Sequence, residues 1–283
     1  MTDPTPETEK PFLKVILHSF FVIPFLIAVF CVLLFAGVRL LTRENQTAYD
    51  FLNDVKTGGL TKRWQAAFEL SRVLANPQLI PQEERFQNEM ISAFQNSRAD
   101  DDKVRRYLAL AMGRTGDPAY LKPLANGLKD EKEATLDALI YAIGTLKDER
   151  GSAPLYPFLD HPDSRVRSLT VAALGNIGAD SSKTFLKKSL NDPEPNVQWG
   201  SAISLARMGD SAGEGVLFQL LNREYLSKFP EVDPYEQNHL ILTALDAASR
   251  LDNPELIQKI TWISQNDPNM AVRTAAMKVI QKK

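Results

Sequence analysis

The stretch from Asp163 to Gly178 reads DSRVRSLTVAALGNIG, and it decides the fold. Its apolar residues Val166, Leu169, Ala173 and Ile177 recur at spacings of three and four residues, which places them on one face of an α-helix. Because several residues on this helix are small, a neighbouring helix can pack closely against it. The stretch therefore predicts an amphipathic helix that is covered by other helices.

The same pattern recurs along the chain with a fixed step. Gly113, Gly144 and Gly175 are 31 residues apart, and a further step of 31 residues reaches Ala206 in an equivalent segment. Three more segments match the same frame, with Ser71, Ser249 and Gln281 at the glycine position. We count seven units, with additional residues between the first and second and between the fifth and sixth. One helix pair of this length cannot bury its apolar face alone, so stacked neighbours must complete the core.

The pattern D-x-x-V-R-x-x-A-A-x-A-L-G-x-I-G-D resembles the HEAT repeats of the short, phycobilisome-lyase-like type. The resemblance covers residues 60–283 and implies an all-α fold, a right-handed α-solenoid of about seven HEAT-like helix pairs. It is a specific signal of fold and a poor signal of function, because such repeats serve scaffolds, adaptors, lyases and modification enzymes alike.

The resemblance also implies a structural ladder, in which an arginine after the valine of the pattern pairs with an aspartate in a neighbouring turn. The arginines at this position are Arg105, Arg167 and Arg273, and the aspartates of the turns are Asp163, Asp192 and Asp267. We interpret these residues as structural. Gln198 replaces the arginine in the fifth unit, so the ladder is not uniform.

An uncharged apolar run precedes the repeats. Val15 to Val38 contains 24 residues without a formal charge, and at about 1.5 Å per residue a helix of this length spans roughly 36 Å, enough to cross a bilayer. A signal peptide has a shorter apolar core, of roughly 7–15 residues. We therefore predict a short tail at 1–14, a single transmembrane helix at 15–41, a juxtamembrane linker or helix at 42–59 and the solenoid at 60–283.

The charges that flank this run bear on its orientation. Lys10 and Lys14 precede it, whereas Arg39 and Arg43 follow it. The positive-inside rule then favours a cytoplasmic solenoid, although the opposite orientation remains open. We expect the protein in the inner membrane of a bacterium.

Two tryptophans occupy one position of the repeat. Trp64 and Trp199 lie two residues after the valine position, where the second unit has Arg106. We predict that this position faces the concave groove of the solenoid and anchors a protein partner, because Trp and Arg are enriched in binding hot spots. Packing against an adjacent unit is the alternative for both tryptophans.

The second group of additional residues contains three aromatic residues. The segment from Asn222 to Glu236 reads NREYLSKFPEVDPYE and includes Tyr225, Phe229 and Tyr235. Insertions in solenoids map to loops on one edge and often contact a ligand. The segment therefore predicts a second partner contact, or alternatively a longer helix and loop that fill a gap.

Composition argues against several classes of function. The formal net charge is −2, and the chain has one cysteine and three widely separated histidines. A nucleic-acid partner, a metal site and a bound cofactor are therefore not expected. Phosphate-binding and nucleophile-elbow motifs are missing, so we predict no catalytic residues and a protein that is not an enzyme.

The leading hypothesis is a membrane-anchored scaffold or adaptor that binds a protein partner. The alternative is an enzyme-associated subunit of the lyase type, acting on a protein-bound chromophore.

Overall fold

The computed structural model describes residues 18–41, 46–129 and 133–282. The predicted tail at 1–14, the first residues of the predicted membrane helix and residues 42–45 of the predicted linker lie outside this part of the chain. Two compact units divide the chain, Met1–Gln46 and Thr47–Lys283.

The first unit contains helix α1, Ile23–Leu41, which follows a π-helical turn at His18–Val22. The segment Phe20–Val38 is long and apolar enough to cross a membrane, and none of it is buried in the structure. A membrane span needs both properties, but a signal sequence near an N-terminus meets the same two requirements.

The second unit is an all-helical solenoid of HEAT-like repeats, and its described residues contain no β-strand. Seven helix pairs follow one another, with short 3₁₀ turns at many of the connections. The first helices of the pairs are α2 Ala48–Thr57, α4 Glu84–Asn96, α6 Leu121–Gly127, α8 Ser152–Leu155, α10 Lys183–Ser189, α12 Glu214–Leu220 and α15 Pro254–Asn266. The second helices are α3 Leu60–Val73, α5 Asp102–Arg114, α7 Glu133–Leu146, α9 Ser164–Ile177, α11 Pro195–Arg207, α14 Pro234–Ala248 and α16 Met270–Gln281. A short additional helix, α13, covers Arg223–Leu226.

The second helices of consecutive pairs pack directly on one another and form one layer. The glycines of the 31-residue step lie at these contacts. A Cβ atom on Gly113 would lie 2.6 Å from the Cα of Ala142, and one on Gly144 would lie 2.7 Å from the Cα of Ala173. At Gly113 and Gly144, glycine is therefore required because the backbones of neighbouring second helices approach too closely for a side chain.

A second periodic position ends the helices. Gly116, Gly178 and Gly209 adopt positive φ angles of 70°, 74° and 72°, a backbone conformation that glycine adopts without a steric penalty. Lys147 lies at the same step between them and has a φ of 55°. The backbone therefore turns in the same left-handed conformation at all four positions, although Lys147 replaces the glycine at one of them.

The start of the solenoid differs from the predicted boundary at residue 60. Thr47 caps α2 by accepting a hydrogen bond from the backbone N–H of Asp50, and α2 buries Leu52 and Val55. Gly58 and Gly59 form only the turn to α3. The segment interpreted as a juxtamembrane linker or helix therefore includes the first helix of the first repeat.

Candidate functional site

Helices α3 and α5 present a group of aromatic and cationic side chains on the surface of the second-helix layer. We name it the aromatic–cationic face, and it consists of Trp64, Phe68, Arg72, Lys103, Arg106 and Tyr107. The residues from α3 follow one another at steps of four, so they lie along one side of that helix. Packing of α3 against α5 then brings the two sets of side chains together.

The contact at one end of the face joins Trp64 to Lys103. The Lys103 Nζ lies 5.0 Å from the centroid of the Trp64 ring, a cation–π geometry. The Trp64 ring is half-buried and packs against the core. Its position is therefore fixed, while part of the ring remains accessible.

The centre of the face is an aromatic pair. Phe68, which is 38% exposed, meets Tyr107 edge to face with a centroid distance of 5.1 Å. The guanidinium of Arg106 lies 5.0 Å from the Tyr107 ring, and that of Arg72 lies 5.9 Å from the Phe68 ring. Each accessible ring is thus flanked by a cation.

This arrangement has a definite binding chemistry. Exposed ring faces bind flat apolar groups, and the ammonium and guanidinium groups beside them attract carboxylates. Glu69 neutralises part of this charge, because it accepts a hydrogen bond of 3.0 Å from Arg72. Lys103 and Arg106 leave the face cationic, so it is suited to a ligand or protein segment that is both flat or aromatic and anionic.

The structure divides the six predicted partner-binding residues between two places. Trp64 and Arg106 belong to the aromatic–cationic face. Trp199 does not face an open groove, and this prediction of its orientation is wrong, since its side chain is only 2% exposed. The indole Nε1 donates to the hydroxyl of Tyr225 at 3.3 Å, and the ring meets that of Phe229 edge to face at 5.0 Å.

The additional residues of the second insertion therefore fold back onto the fifth unit. Tyr225 and Phe229 are partly buried and lie 5.2 Å apart by ring centroids, and the insertion contributes Leu226 and Val232 to the core. This arrangement matches the alternative in which the segment fills a gap. Tyr235, at the start of α14, is 80% exposed and is still available to a partner.

The ladder residues are brought together only in part. Arg167 donates two hydrogen bonds of 2.8 Å to Asp192 in the turn of the following unit. Asp163 instead caps α9 and binds Arg165. Asp267 accepts its bidentate pair from Arg223, at 2.8 Å for each bond, and not from Arg273.

What the arginines share is a hydrogen bond to a backbone carbonyl of their own unit, near the end of its first helix or in the turn that follows. Arg105 donates to the carbonyl of Phe94, and Arg273 donates to those of Asp267 and Pro268. Arg63 extends the series to the first unit, since it donates to the carbonyl of Val55 and pairs with Asp100 of the second unit. Sequence reasoning missed Arg63, although it lies eight residues before Ser71, as Arg167 lies eight before Gly175.

Comparison with known proteins shows what this chain is similar to. Residues 91–159 and 152–225 match the family profile of HEAT repeats. Two curated relatives are the bilin biosynthesis protein PecE of Nostoc sp., 27% identical over 153 residues, and PecE of Mastigocladus laminosus, 26% identical over 167 residues. The alignments cover 53% and 58% of this chain and 56% and 58% of the relatives. The chain thus spans less than two thirds of the length of these relatives.

A solved structure shows the same fold over most of the chain. The complex of CpcE and CpcF of phycocyanin lyase from Nostoc sp. PCC7120 matches with a TM-score of 0.56 and 17% identity, covering 85% of this chain and 96% of the matched chain. At this identity the similarity concerns the fold alone.

These findings correct one prediction. The prediction of a protein that is not an enzyme rests on the missing catalytic motifs. The curated relatives that this chain matches are bilin biosynthesis proteins. The lack of familiar motifs therefore does not exclude an enzyme.

Proposed function

We propose that this chain is a HEAT-repeat subunit of a lyase-type enzyme that acts on a protein-bound chromophore. The observation that carries the proposal is the aromatic–cationic face, and the names of the relatives support it. A bilin is a flat, conjugated tetrapyrrole with carboxylate side chains. Aromatic rings flanked by Lys103 and Arg106 match both features of such a molecule.

Binding of a protein is the other part of the proposed activity. Stacked helical repeats present extended surfaces that suit a protein ligand. The aromatic–cationic face holds the chromophore end of the client, and the adjoining surface of the second helices, which includes the exposed Tyr141, holds the polypeptide around it. The chain thereby orients the chromophore relative to the protein that carries it.

The experiment is a titration of the full-length chain in detergent with phycocyanobilin, followed by absorbance and fluorescence. We expect saturable binding, and we expect Lys103→Glu combined with Arg106→Glu to weaken it by at least about tenfold, because two attractive contacts become repulsive. Incubation with an apo-phycobiliprotein and the bilin should then give a fluorescent adduct that survives denaturing electrophoresis.

Lys122→Glu is the matched control, because Lys122 is an exposed cation on the first helix α6. It should leave binding unchanged. A wild-type chain that neither binds the bilin nor changes the yield of adduct would overturn the lyase-type proposal.

A second candidate function is that of a membrane-anchored scaffold, and α1 favours it specifically. Every described side chain from Phe20 to Val38 is exposed, including Phe25, Phe30 and Phe35. Burying an apolar surface of this kind in lipid contributes roughly 25 cal/mol per Å². We therefore propose that α1 anchors the chain in a bacterial inner membrane with the solenoid on the cytoplasmic side.

Fractionation and protease protection test this second proposal. Full-length chain should remain in the membrane pellet after alkaline carbonate washing, and Leu26→Arg combined with Leu33→Arg should release it. Protease added to sealed inside-out vesicles should digest the solenoid, whereas right-side-out vesicles should protect it. A mature chain that has lost residues 1–38 would contradict the anchor.

A further inference from the structure

The connection between the first two repeats differs in charge from the later connections on the same edge of the solenoid. We name residues 74–82 the first connection; they read LANPQLIPQ and carry no formal charge. Each of the five later connections, from the second helix of one pair to the first helix of the next, contains an aspartate. These aspartates are Asp117, Asp148, Asp180, Asp210 and Asp252. The first connection is therefore a neutral segment on an edge whose other connections each carry a carboxylate.

The first connection keeps the turn of the later connections without their charge. Asn76 caps the 3₁₀ turn Pro77–Leu79 by accepting a hydrogen bond of 3.1 Å from the backbone N–H of Gln78. Asp117 and Asp148 cap the equivalent turns in the same way, at 2.9 Å and 3.0 Å. Since Asn and Asp are equally good caps, the geometry of the turn does not explain the missing carboxylate.

The first connection also exposes an apolar side chain at a position that the equivalent turns bury. Leu79, three residues after its cap, is 52% exposed, while the neighbouring Ile80 packs against the core. In three equivalent turns the residue three after the capping aspartate is buried, at Tyr120, Gly151 and Gly213. A single exposed leucine is ordinary on a protein surface. What distinguishes Leu79 is that it lies on the connection that lacks the charge.

The first connection lies on the edge of the solenoid where the chain arrives from α1. Thr47 caps the start of α2 and follows Leu41, the last residue of α1, by six residues. Six residues reach at most about 22 Å, at roughly 3.3–3.6 Å per residue. Helix α3 returns to this edge, and Tyr49 contacts Glu83 and Phe86, which follow the first connection. A bilayer spanned by α1 would therefore lie within reach of this edge.

We infer that the first connection inserts into the surface of the phospholipid bilayer, with Leu79 at the level of the outer acyl chains. The inference rests on the proposed membrane anchor α1 and is independent of the lyase-type activity. Transfer of the leucine side chain from water to lipid favours insertion. A carboxylate in place of Asn76 would oppose it, because a charge is costly to move toward the hydrocarbon. A second point of contact with the bilayer would fix the direction in which the repeats extend from it.

The test is spin-label accessibility in the full-length chain, reconstituted into vesicles of phosphatidylethanolamine and phosphatidylglycerol. Cys31, the single cysteine, is exchanged for alanine, and a nitroxide is attached to Leu79→Cys. Power saturation compares collisions with oxygen, which concentrates in the bilayer, and with a water-soluble nickel chelate. We expect the oxygen-to-nickel ratio to exceed that of Leu60→Cys by at least about threefold, since interfacial side chains lie roughly 5–10 Å into the headgroup and acyl boundary. Leu60 is the matched control, because it is a 75% exposed leucine at the opposite end of α2.

Two further substitutions separate the charge from the fold. Asn76→Asp keeps the cap of the turn and introduces the carboxylate of the later connections, so the ratio at position 79 should fall to that at position 60 with no change in melting temperature. Asn222→Asp is its control, because Asn222 caps α13 in the same way, accepting from the backbone N–H of Glu224 at 3.1 Å. This control should leave the ratio at position 79 unchanged.

A label on Leu33→Cys, within α1, separates this inference from the anchor on which it rests. A label at position 33 in hydrocarbon with a label at position 79 in water would overturn the inference and leave the anchor intact. A label at position 33 in water would overturn both. Low accessibility to oxygen and to nickel alike at position 79 would show contact with another protein molecule in place of lipid, which would also overturn the inference.

Discussion

Arg167 and Asp192 join two consecutive repeats through a bidentate ion pair, with two N–O distances of 2.8 Å. Both side chains are almost buried, at 11% and 9% exposure. The remaining Nη1 of Arg167 donates to the carbonyls of His161 and Pro162. One side chain therefore satisfies the turn of its own unit and the carboxylate of the next, which couples the folding of the two units.

Removing the guanidinium of Arg167 should destabilise the solenoid. Arg167→Met leaves the Asp192 carboxylate buried without its partner, and we expect the free energy of unfolding to fall by about 3–5 kcal/mol. Arg85→Met is the control, because the Arg85 side chain is 81% exposed and pairs only within its own helix α4, with Glu89 at 2.8 Å. It should leave the stability nearly unchanged, because exposed ion pairs contribute little. Urea unfolding measures both, and equal effects would contradict the proposed role of burial.

The same pair predicts how stability depends on pH. Burial raises the pKa of Asp192, but the hydrogen bonds from Arg167 and from the Glu194 backbone outweigh burial and hold this pKa below its ordinary value of 3.8. A lowered carboxyl pKa stabilises the folded state above the ordinary value, and this contribution is lost as the pH falls through the lower folded pKa. The stability gap between wild type and Asp192→Asn should therefore be constant near pH 7 and shrink below about pH 4. Unfolding curves from pH 7 to pH 3 measure it, and a gap that widens in acid would refute the pairing.

The repeat glycine can be tested by a matched pair of substitutions. Gly144→Ala places a Cβ against the backbone of Ala173, so we expect a destabilisation of about 1–3 kcal/mol. Gly215→Ala lies in helix α12 with no atom within 4 Å of the new Cβ. It should stabilise the fold by up to about 1 kcal/mol, because alanine favours a helix. Thermal unfolding of the two variants measures the difference, and a tolerated Gly144→Ala would show that the helices can separate at no cost.

Lys147 is the non-glycine member of the left-handed turn positions. Lys147→Gly relieves the steric strain of a positive φ of 55°, but glycine also gives the unfolded chain more conformational freedom. We expect the first effect to be larger, so the free energy of unfolding should rise by roughly 0.5–1 kcal/mol. Gly178→Ala is the reverse test, and it should lower the free energy of unfolding by about 1 kcal/mol. A Cβ atom at this position meets no atom within 4 Å, so the destabilisation comes from backbone strain alone. Denaturation midpoints measure both changes, which should have opposite signs.

The sequence predicted the features that repeat and missed those that do not. The step between Gly113, Gly144 and Gly175 predicted the second-helix layer. Each of these glycines lies where one second helix packs closely on the next, and this close packing follows from the stacking of the repeats. Helix α2 was interpreted as a linker or juxtamembrane helix, since the pattern used to count units lies in the second helix of each pair.

On the candidate face, Trp64 and Arg106 were found from the repeat position that they share. Phe68 and Lys103 were missed, because they become neighbours of those residues only through the packing of α3 on α5.

Trp199 shows why a position in the repeat does not fix burial when an insertion intervenes. We predict that Trp199→Ala lowers the free energy of unfolding by about 3–5 kcal/mol, because it leaves a cavity beneath Phe229 and removes the hydrogen bond to Tyr225. Trp262→Ala, on an exposed side chain, should change the stability by less than about 0.5 kcal/mol.

Urea unfolding gives both values, and limited proteolysis between residues 222 and 236 gives a local readout. Faster cleavage there in Trp199→Ala alone would show that the tryptophan holds the insertion on the solenoid. Equal cleavage in the wild type and in both variants would show that the insertion is held by its other contacts, such as those of Leu226 and Val232 in the core.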